Sequence, residues 1–308
     1  MSSVSWSASP PPTSATPRTD RDTYGGAVAE TARLLGVPFM GWQSLTVDVA
    51  MEHVDGQLVH REVDLSIDRQ AGKSTVIIAV AVHRMLSAPG SWLTYTSSSR
   101  LAARRKLLRV WAPLIARSPL RDKFSATKGT GTETLECSNG SVLMLLSGDE
   151  ASGHGDSVDA SFIDEAWSVD ETAEAAVRPA MSTRRNAQLW VCSTAGTAKS
   201  RYWRAKVDGG RTAAALGVDD GSCFVEWAAG RDVDVTDPTT WPAFMPALGR
   251  TISEETVAKD LASMPLAQWK RAYCNLWDDE TDAGWRVFNQ ADWLRATSGE
   301  GLTDADWE

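Results

Sequence analysis

Apolar residues recur at helical spacing over residues 23–35, with Ala27, Val28, Thr31, Ala32, Leu34 and Leu35 on or near one face, and Gly36 ends the pattern. Residues 45–54 fit either a strand or a short helix, and Asp55-Gly56 marks a turn after them. The period then shifts. Residues 61–67 read as a strand, 68–75 as a loop and 76–86 as an apolar helix. A second strand is predicted over 92–97 and an arginine-rich amphipathic helix over 101–115. Residues 133–137 and 141–146 flank Ser138-Asn139-Gly140, a hairpin signal. Further strands are expected over 157–163 and 188–193, with a helix over 173–182 between them. Residues 208–250 are loosely patterned and rich in Gly, Asp and Thr. Helices close the pattern over 253–264, with Ser253 as N-cap, and over about 266–275. Strands alternating with helices imply an α/β fold with a doubly wound, mainly parallel sheet covered on both faces.

Composition changes this picture at the ends and in its class. Residues 1–22 are rich in Ser, Pro and Thr and offer little apolar surface to offset ordering entropy, so a flexible arm is expected there. The 308 residues, 43% of them apolar, suffice for one large or two modest globular domains. A net charge of −9 excludes a protein that coats nucleic acid through an overall basic field, so any DNA contact must be local. Cys137, Cys192, Cys223 and Cys274 form no CxxC pair, which indicates neither a zinc site nor a disulfide framework. The four histidines are dispersed and read as surface or capping residues. No apolar run approaches the roughly 18 residues of a membrane span, and the N-terminus lacks the charged start and apolar stretch of a signal peptide. A cytoplasmic protein is expected.

The chemistry is concentrated in three segments. Asp68-Arg69-Gln70-Ala71-Gly72-Lys73-Ser74-Thr75 contains the GK[ST] core of a Walker A loop, without its first glycine, between a strand and a helix. Gly72 lets backbone amides approach a phosphate, Lys73 can reach β/γ-phosphates, Ser74 offers a hydroxyl to Mg²⁺, and the next helix presents its positive end. The competing reading is a chance tripeptide on a surface turn. The apolar run ending in Asp164-Glu165 delivers two carboxylates to a strand end: one to hold Mg²⁺ through its water shell, the other to polarise a water. Helix capping is the alternative role for that pair. Both motifs fall at strand carboxyl ends, where open α/β sheets bind ligands. Ser193-Thr194-Ala195-Gly196-Thr197 closes another strand with small hydroxyl residues, suited either to sensing a γ-phosphate or to a self-satisfied turn.

Taken together with Trp42-Gln43 upstream, the SNGS hairpin, FIDEAW, STAGT and YCNLW at 273–277, the sequence over roughly 35–280 resembles the large terminases of tailed phages. The resemblance implies an ATP-binding P-loop NTPase of the additional-strand type, the ATPase domain of a motor that drives double-stranded viral DNA into a procapsid. On it, Trp42 and Gln43 lie at the nucleotide, Gln43 matching the residue that reads adenine. Arg69, Gln70, Gly72, Lys73, Ser74 and Thr75 form the phosphate loop. Ser74 and Asp164 serve Mg²⁺, Glu165 is the catalytic glutamate, and Ser193 to Thr197 form the coupling motif. Arg69 in cis and Arg104 in trans are the candidate transition-state cations, with Arg104 favoured and Arg100 and Arg105 close by in sequence. Double-stranded DNA, the portal protein, the small terminase subunit and further copies of the chain in a ring are the implied partners. The implied location is the cytoplasm of the infected bacterium, outside the mature virion.

The expected organisation is an arm over 1–22, an ATPase core over 23–217, a lid over 218–280 and the start of a linker over 281–308. The family's second domain is a nuclease, and the chain stops at Glu308 soon after the linker-like WRVFNQADW, so DNA cutting is not expected from these residues. A helicase-like or other additional-strand ATPase is the alternative, and a nucleotide-dependent switch protein is the second. Glu165 beside Asp164 speaks against the switch, which has less use for a water-polarising carboxylate. Most of the 14 tryptophans read as packing residues.

Overall fold

A computed structural model describes residues 9–129, 131–146, 157–230 and 232–277. The expected linker over 281–308 and the first eight residues of the expected arm lie outside them. The chain opens with two short strands, β1 (Ser14–Ala15) and β2 (Asp22–Thr23), followed by α1 (Gly25–Leu34) and α2 (Gly41–Ala50). The hairpin β3 (Glu52–Val54) and β4 (Gln57–Leu58) leads into β5 (Glu62–Ser66), α3 (Lys73–Ser87) and β6 (Trp92–Thr96). Then α4 (Arg100–Lys106) widens into a π turn (Leu107–Trp111) that runs on into α5 (Ala112–Ala116). The meander β7 (Phe124–Thr127), β8 (Thr134–Cys137), β9 (Val142–Leu145) precedes β10 (Ala160–Asp164), α6 (Glu171–Met181) and β11 (Gln188–Ser193). After α7 (Arg201–Leu216) and β12 (Ser222–Glu226) come α8 (Glu254–Ser263) and α9 (Leu266–Tyr273).

The main sheet has nine strands in the order β1-β12-β5-β11-β10-β6-β9-β8-β7. Strands β12, β5, β11, β10, β6 and β9 run parallel, with β1 and β8 antiparallel at the flanks. Strand β11 therefore separates β5 from β10, the additional-strand arrangement. The two-residue period of each strand divides it between two layers. Phe162, Trp190 and Val225 face one core with α3, while Ile163, Val191 and Phe224 face the other with α6 and α7. Burial on both faces explains why these strands read as continuous apolar runs. A third core, formed by Trp241, Phe244, Val257, Trp269 and Tyr273 among others, packs α8 and α9 with the segment that follows β12.

Three expectations are corrected. Residues 9–22 are not a free arm: Ser14 and Ala15 pair with Val225 and Glu226, Trp227 Nε1 donates to the Pro10 carbonyl, and Arg18 pairs with Glu52. Composition misleads here because the segment is held by backbone bonds to a sheet edge, which require no apolar side chains. The stretch expected as a lid from 218 is not wholly separate from the sheet, since β12 lies in the main sheet beside β5; the third core begins at Ala229. Finally, the opening part of the loosely patterned stretch is mostly regular, the C-terminal half of α7 followed by β12. Gly209-Gly210 disguises that helix. Gly210 is needed because a Cβ there would lie 2.4 Å from the Phe224 ring.

Candidate nucleotide site

Strand β5 ends at Ser66, and the following loop turns back through two left-handed residues, Gln70 (φ +62°) and Gly72 (φ +100°), before α3 begins at Lys73. Gly72 serves both the φ and the space, because a Cβ would meet Gln43 Nε2 at 3.0 Å. The loop thus brings Lys73, Ser74 and Thr75 into the first turn of a 15-residue helix, where backbone N–H groups and the dipole favour anions. Lys73 is 6% exposed, and its ammonium donates to the carbonyls of Asp68 at 2.7 Å and Ile67 at 3.2 Å. Gln43 is wholly engaged: Nε2 donates to the Gly72 carbonyl at 3.0 Å and Oε1 accepts from Met40 N–H. Trp42 is fully buried in edge contact with Trp227. Its ring edge lies close under the loop, 4.0 Å from where a Cβ on Gly72 would stand.

Across β11, β10 delivers Asp164 and Glu165 to the same edge of the sheet. Asp164 is 3% exposed, accepts from the Tyr95 hydroxyl at 3.0 Å, and has its carboxyl pushed up by burial and by the neighbouring Glu165. Glu165 sits in the left-handed region at φ +59°, an unusual conformation for a residue with a Cβ and of order 1 kcal/mol in cost. Trp167 holds it there. Its Nε1 donates to Glu165 Oε2 at 2.8 Å, and the Arg69 guanidinium lies 5.6 Å above the Trp167 ring. Arg69, Trp167 and Glu165 thereby connect the phosphate loop to the carboxylate turn.

The STAGT segment is a junction. Ser193 Oγ accepts from Trp167 N–H at 3.0 Å on one side, while Thr194 Oγ1 donates to the Arg271 carbonyl at 3.1 Å on the other. Ala195 and Gly196 are buried and Thr197 half-buried. Asn275, within YCNLW but given no role by sequence reasoning, completes the junction. Its fully buried amide accepts from Ala195 N–H at 2.6 Å and donates to Ser66 Oγ and the Trp227 carbonyl, both at 2.9 Å. The ends of β5, β11 and β12 are thus tied at one residue to the segment after α9, and Arg69 N–H adds a bond to the Ala272 carbonyl at 2.8 Å.

Other partners escaped the sequence. Lys106 donates to Ser74 Oγ at 2.8 Å. Asp68 is buried beside Lys73, neither carboxylate oxygen has a hydrogen-bond partner among the described residues, and burial pushes its carboxyl up to about 7. Arg104, expected to extend toward another subunit, donates to Glu133 of its own chain. The RRK run signalled positive charge but not which member turns inward.

A glycine-dependent loop opening a helix, two carboxylates ending the strand one removed, and an intervening β11 together define a P-loop NTPase of the additional-strand type. Residues 65–203 match the sequence profile described as terminase large subunit, T4likevirus-type, N-terminal. The fold resembles the large terminase of bacteriophage HK97, with TM-score 0.69 and 20% identity over 83% of this chain and 56% of that one. The chain therefore spans little more than half of that protein's length. The ATPase domain of the Thermus phage P74-26 large terminase is also similar, with TM-score 0.52 and 13% identity over 79% of this chain and 95% of that one. A large terminase from a thermophilic bacteriophage, in complex with ADP, gives TM-score 0.51 and 13% identity over 71% of this chain and 48% of that one. No curated protein sequence matches the chain.

Proposed function

We propose that the chain hydrolyses ATP and, as the ATPase part of a large terminase, uses it to move double-stranded viral DNA into a procapsid. The observation that carries the reading is the meeting of Lys73 and Ser74 with Asp164 and Glu165 on one sheet edge, with Glu165 fixed in a strained left-handed turn. The ADP complex of the thermophilic-phage terminase supports a nucleotide as the ligand. Lys73 leaves the Ile67 and Asp68 carbonyls to neutralise the β/γ-phosphates, and the amides at the start of α3 hold their oxygens. Ser74 and Asp164 supply the oxygen donors that suit Mg²⁺, an ion usually held by one or two protein groups together with substrate phosphates. That ion would offset charge on the phosphates. Glu165 orients and polarises the attacking water, and Arg69, whose guanidinium lies over the Trp167 ring, is the candidate transition-state arginine in cis.

DNA as the partner is supported by charge. Residues 100–128 carry nine Lys or Arg and one Asp, 9 − 1 = +8, in a chain of net charge −9. Arg105, Arg109, Arg117, Arg121, Lys123 and Lys128 of this segment are exposed. This is the local basic surface that a duplex needs from an acidic protein. The portal protein, the small terminase subunit and a ring of copies follow from the family and belong to the same proposal, as does action in the host cytoplasm.

Turnover of ATP with and without linear duplex DNA, for wild type and Lys73→Ala, tests the reading. DNA should stimulate wild-type turnover, and Lys73→Ala should abolish it with a collapse of nucleotide affinity measured by calorimetry. An affinity within about threefold of wild type, less than roughly 1 kcal/mol, would remove the phosphate role from this loop.

A further inference from the structure

Ser74 and Asp164, the two groups assigned to the metal, already share a cation from the chain. The Lys106 ammonium donates to Ser74 Oγ at 2.8 Å, and its positive charge acts on the buried Asp164 carboxylate. The approach is built into the helix. Arg100 and Arg104 of α4 turn to Glu133 and Arg105 faces solvent, whereas Lys106 stands where α4 widens into the π turn and is half-buried. A π turn inside a helix resets the direction of side chains and recurs at functional sites.

A hydroxyl that ligates Mg²⁺ holds it at about 2.1 Å. An ammonium within hydrogen-bond reach of the same oxygen would be repelled strongly at that range. Lys106 and Mg²⁺ therefore cannot both hold Ser74. The four-carbon stem lets the ammonium swing without moving the helix, and the anion that arrives at Ser74 together with the metal is the β/γ end of the nucleotide.

We propose that Lys106 is a phosphate-responsive cation acting in cis: the ammonium and the nucleotide's Mg²⁺ alternate at Ser74, and once the metal takes the hydroxyl the ammonium passes to the terminal phosphate. This rests on the nucleotide reading above and adds to it the group that distinguishes a triphosphate from a diphosphate. Removing the ammonium deletes a contact only ATP can receive, while ADP loses nothing and gains freer access of its metal to Ser74.

Calorimetric titration of wild type, Lys106→Met, Lys106→Gln and Lys106→Arg with Mg²⁺-ADP and Mg²⁺-ATPγS tests it, with circular dichroism to verify folding. For Met and Gln the preference for ATPγS over ADP should fall about tenfold or more, the usual worth of one charged hydrogen bond. ADP affinity should stay within about threefold of wild type or improve, and Arg should keep most of the preference. A ratio unchanged within about twofold in Met and Gln overturns the inference alone, as does an equal collapse for both nucleotides in either folded variant. A wild type that binds neither nucleotide overturns the nucleotide reading beneath it.

Discussion

Arg104 donates through Nε to Oε1 of Glu133 at 2.7 Å, and the Glu133 side chain is fully buried, with Arg100 on its other oxygen at 3.0 Å. The pair fastens α4 to the start of β8. Any reach of Arg104 into a neighbouring subunit must first open it. Arg104→Ala should cost about 1 kcal/mol of stability, a modest figure because the guanidinium is more than one-third exposed and Arg100 remains on Glu133. Denaturant midpoints measure that cost. The trans role is separable: if Arg104 acts on the next subunit, mixing Arg104→Ala with Lys73→Ala in assembled rings should restore ATPase activity that neither has alone. Mixed rings without recovered activity would leave Arg69 as the arginine at the site.

Glu165→Gln should retain nucleotide binding while turnover falls about 10²- to 10⁴-fold, the range for loss of a catalytic base. Trp167→Phe keeps the ring beneath Arg69 but removes the Nε1 donor to Glu165. It should lower kcat more than it raises KM, since the carboxylate is still present but less well aimed. Single-turnover hydrolysis with pre-bound ATP measures the chemical step in each variant, and steady-state turnover across ATP concentrations gives kcat and KM. Near wild-type rates in Glu165→Gln would place the water-polarising group elsewhere.

Replacing Asn275 with Ala strands the buried Ala195 N–H and the Trp227 carbonyl together. At about 1–3 kcal/mol per buried orphan group, a loss of about 2–6 kcal/mol is expected. The residue also has φ +53°, so Asn275→Gly should recover some backbone strain but none of the hydrogen bonds. Urea midpoints for both variants below wild type, with alanine the lower, would fit this role. A change under 1 kcal/mol in Asn275→Ala would mean that the strand ends are not held there.

Asp68 gives stability a definite dependence on pH. Burial raises its carboxyl from 3.8 to about 7, with the Lys73 charge opposing the rise. Between those values the folded chain keeps a proton that the unfolded chain has lost, so the contribution is complete below about pH 4 and is lost as pH rises through 7. The full span is on the order of 4 kcal/mol. Asp68→Asn should flatten the stability curve over that window relative to wild type. Parallel curves for the two proteins would show that Asp68 ionises normally in the fold.

What the sequence by itself determined was local. The strand, loop and helix from Glu62 to Ser87, the strand ending in Asp164-Glu165, the hairpin at Asn139-Gly140 and the Ser253 cap could be read because a few adjacent residues dictate each backbone path. The tertiary structure decided what depends on distant neighbours. It seated residues 9–22 on the β12 edge, since an unpaired backbone is satisfied by any segment that reaches it. It placed β12 in the main sheet beside β5, from a stretch whose preceding helix was hidden by two glycines. It buried Trp42 and selected Lys106, rather than Arg104, to meet Ser74. A helical period predicts which residues share a face, but a π turn resets the face. Which basic residue then meets the loop depends on Glu133 and Ser74, 27 residues after Lys106 and 32 before it in sequence (133 − 106 and 106 − 74), and no local pattern records that separation.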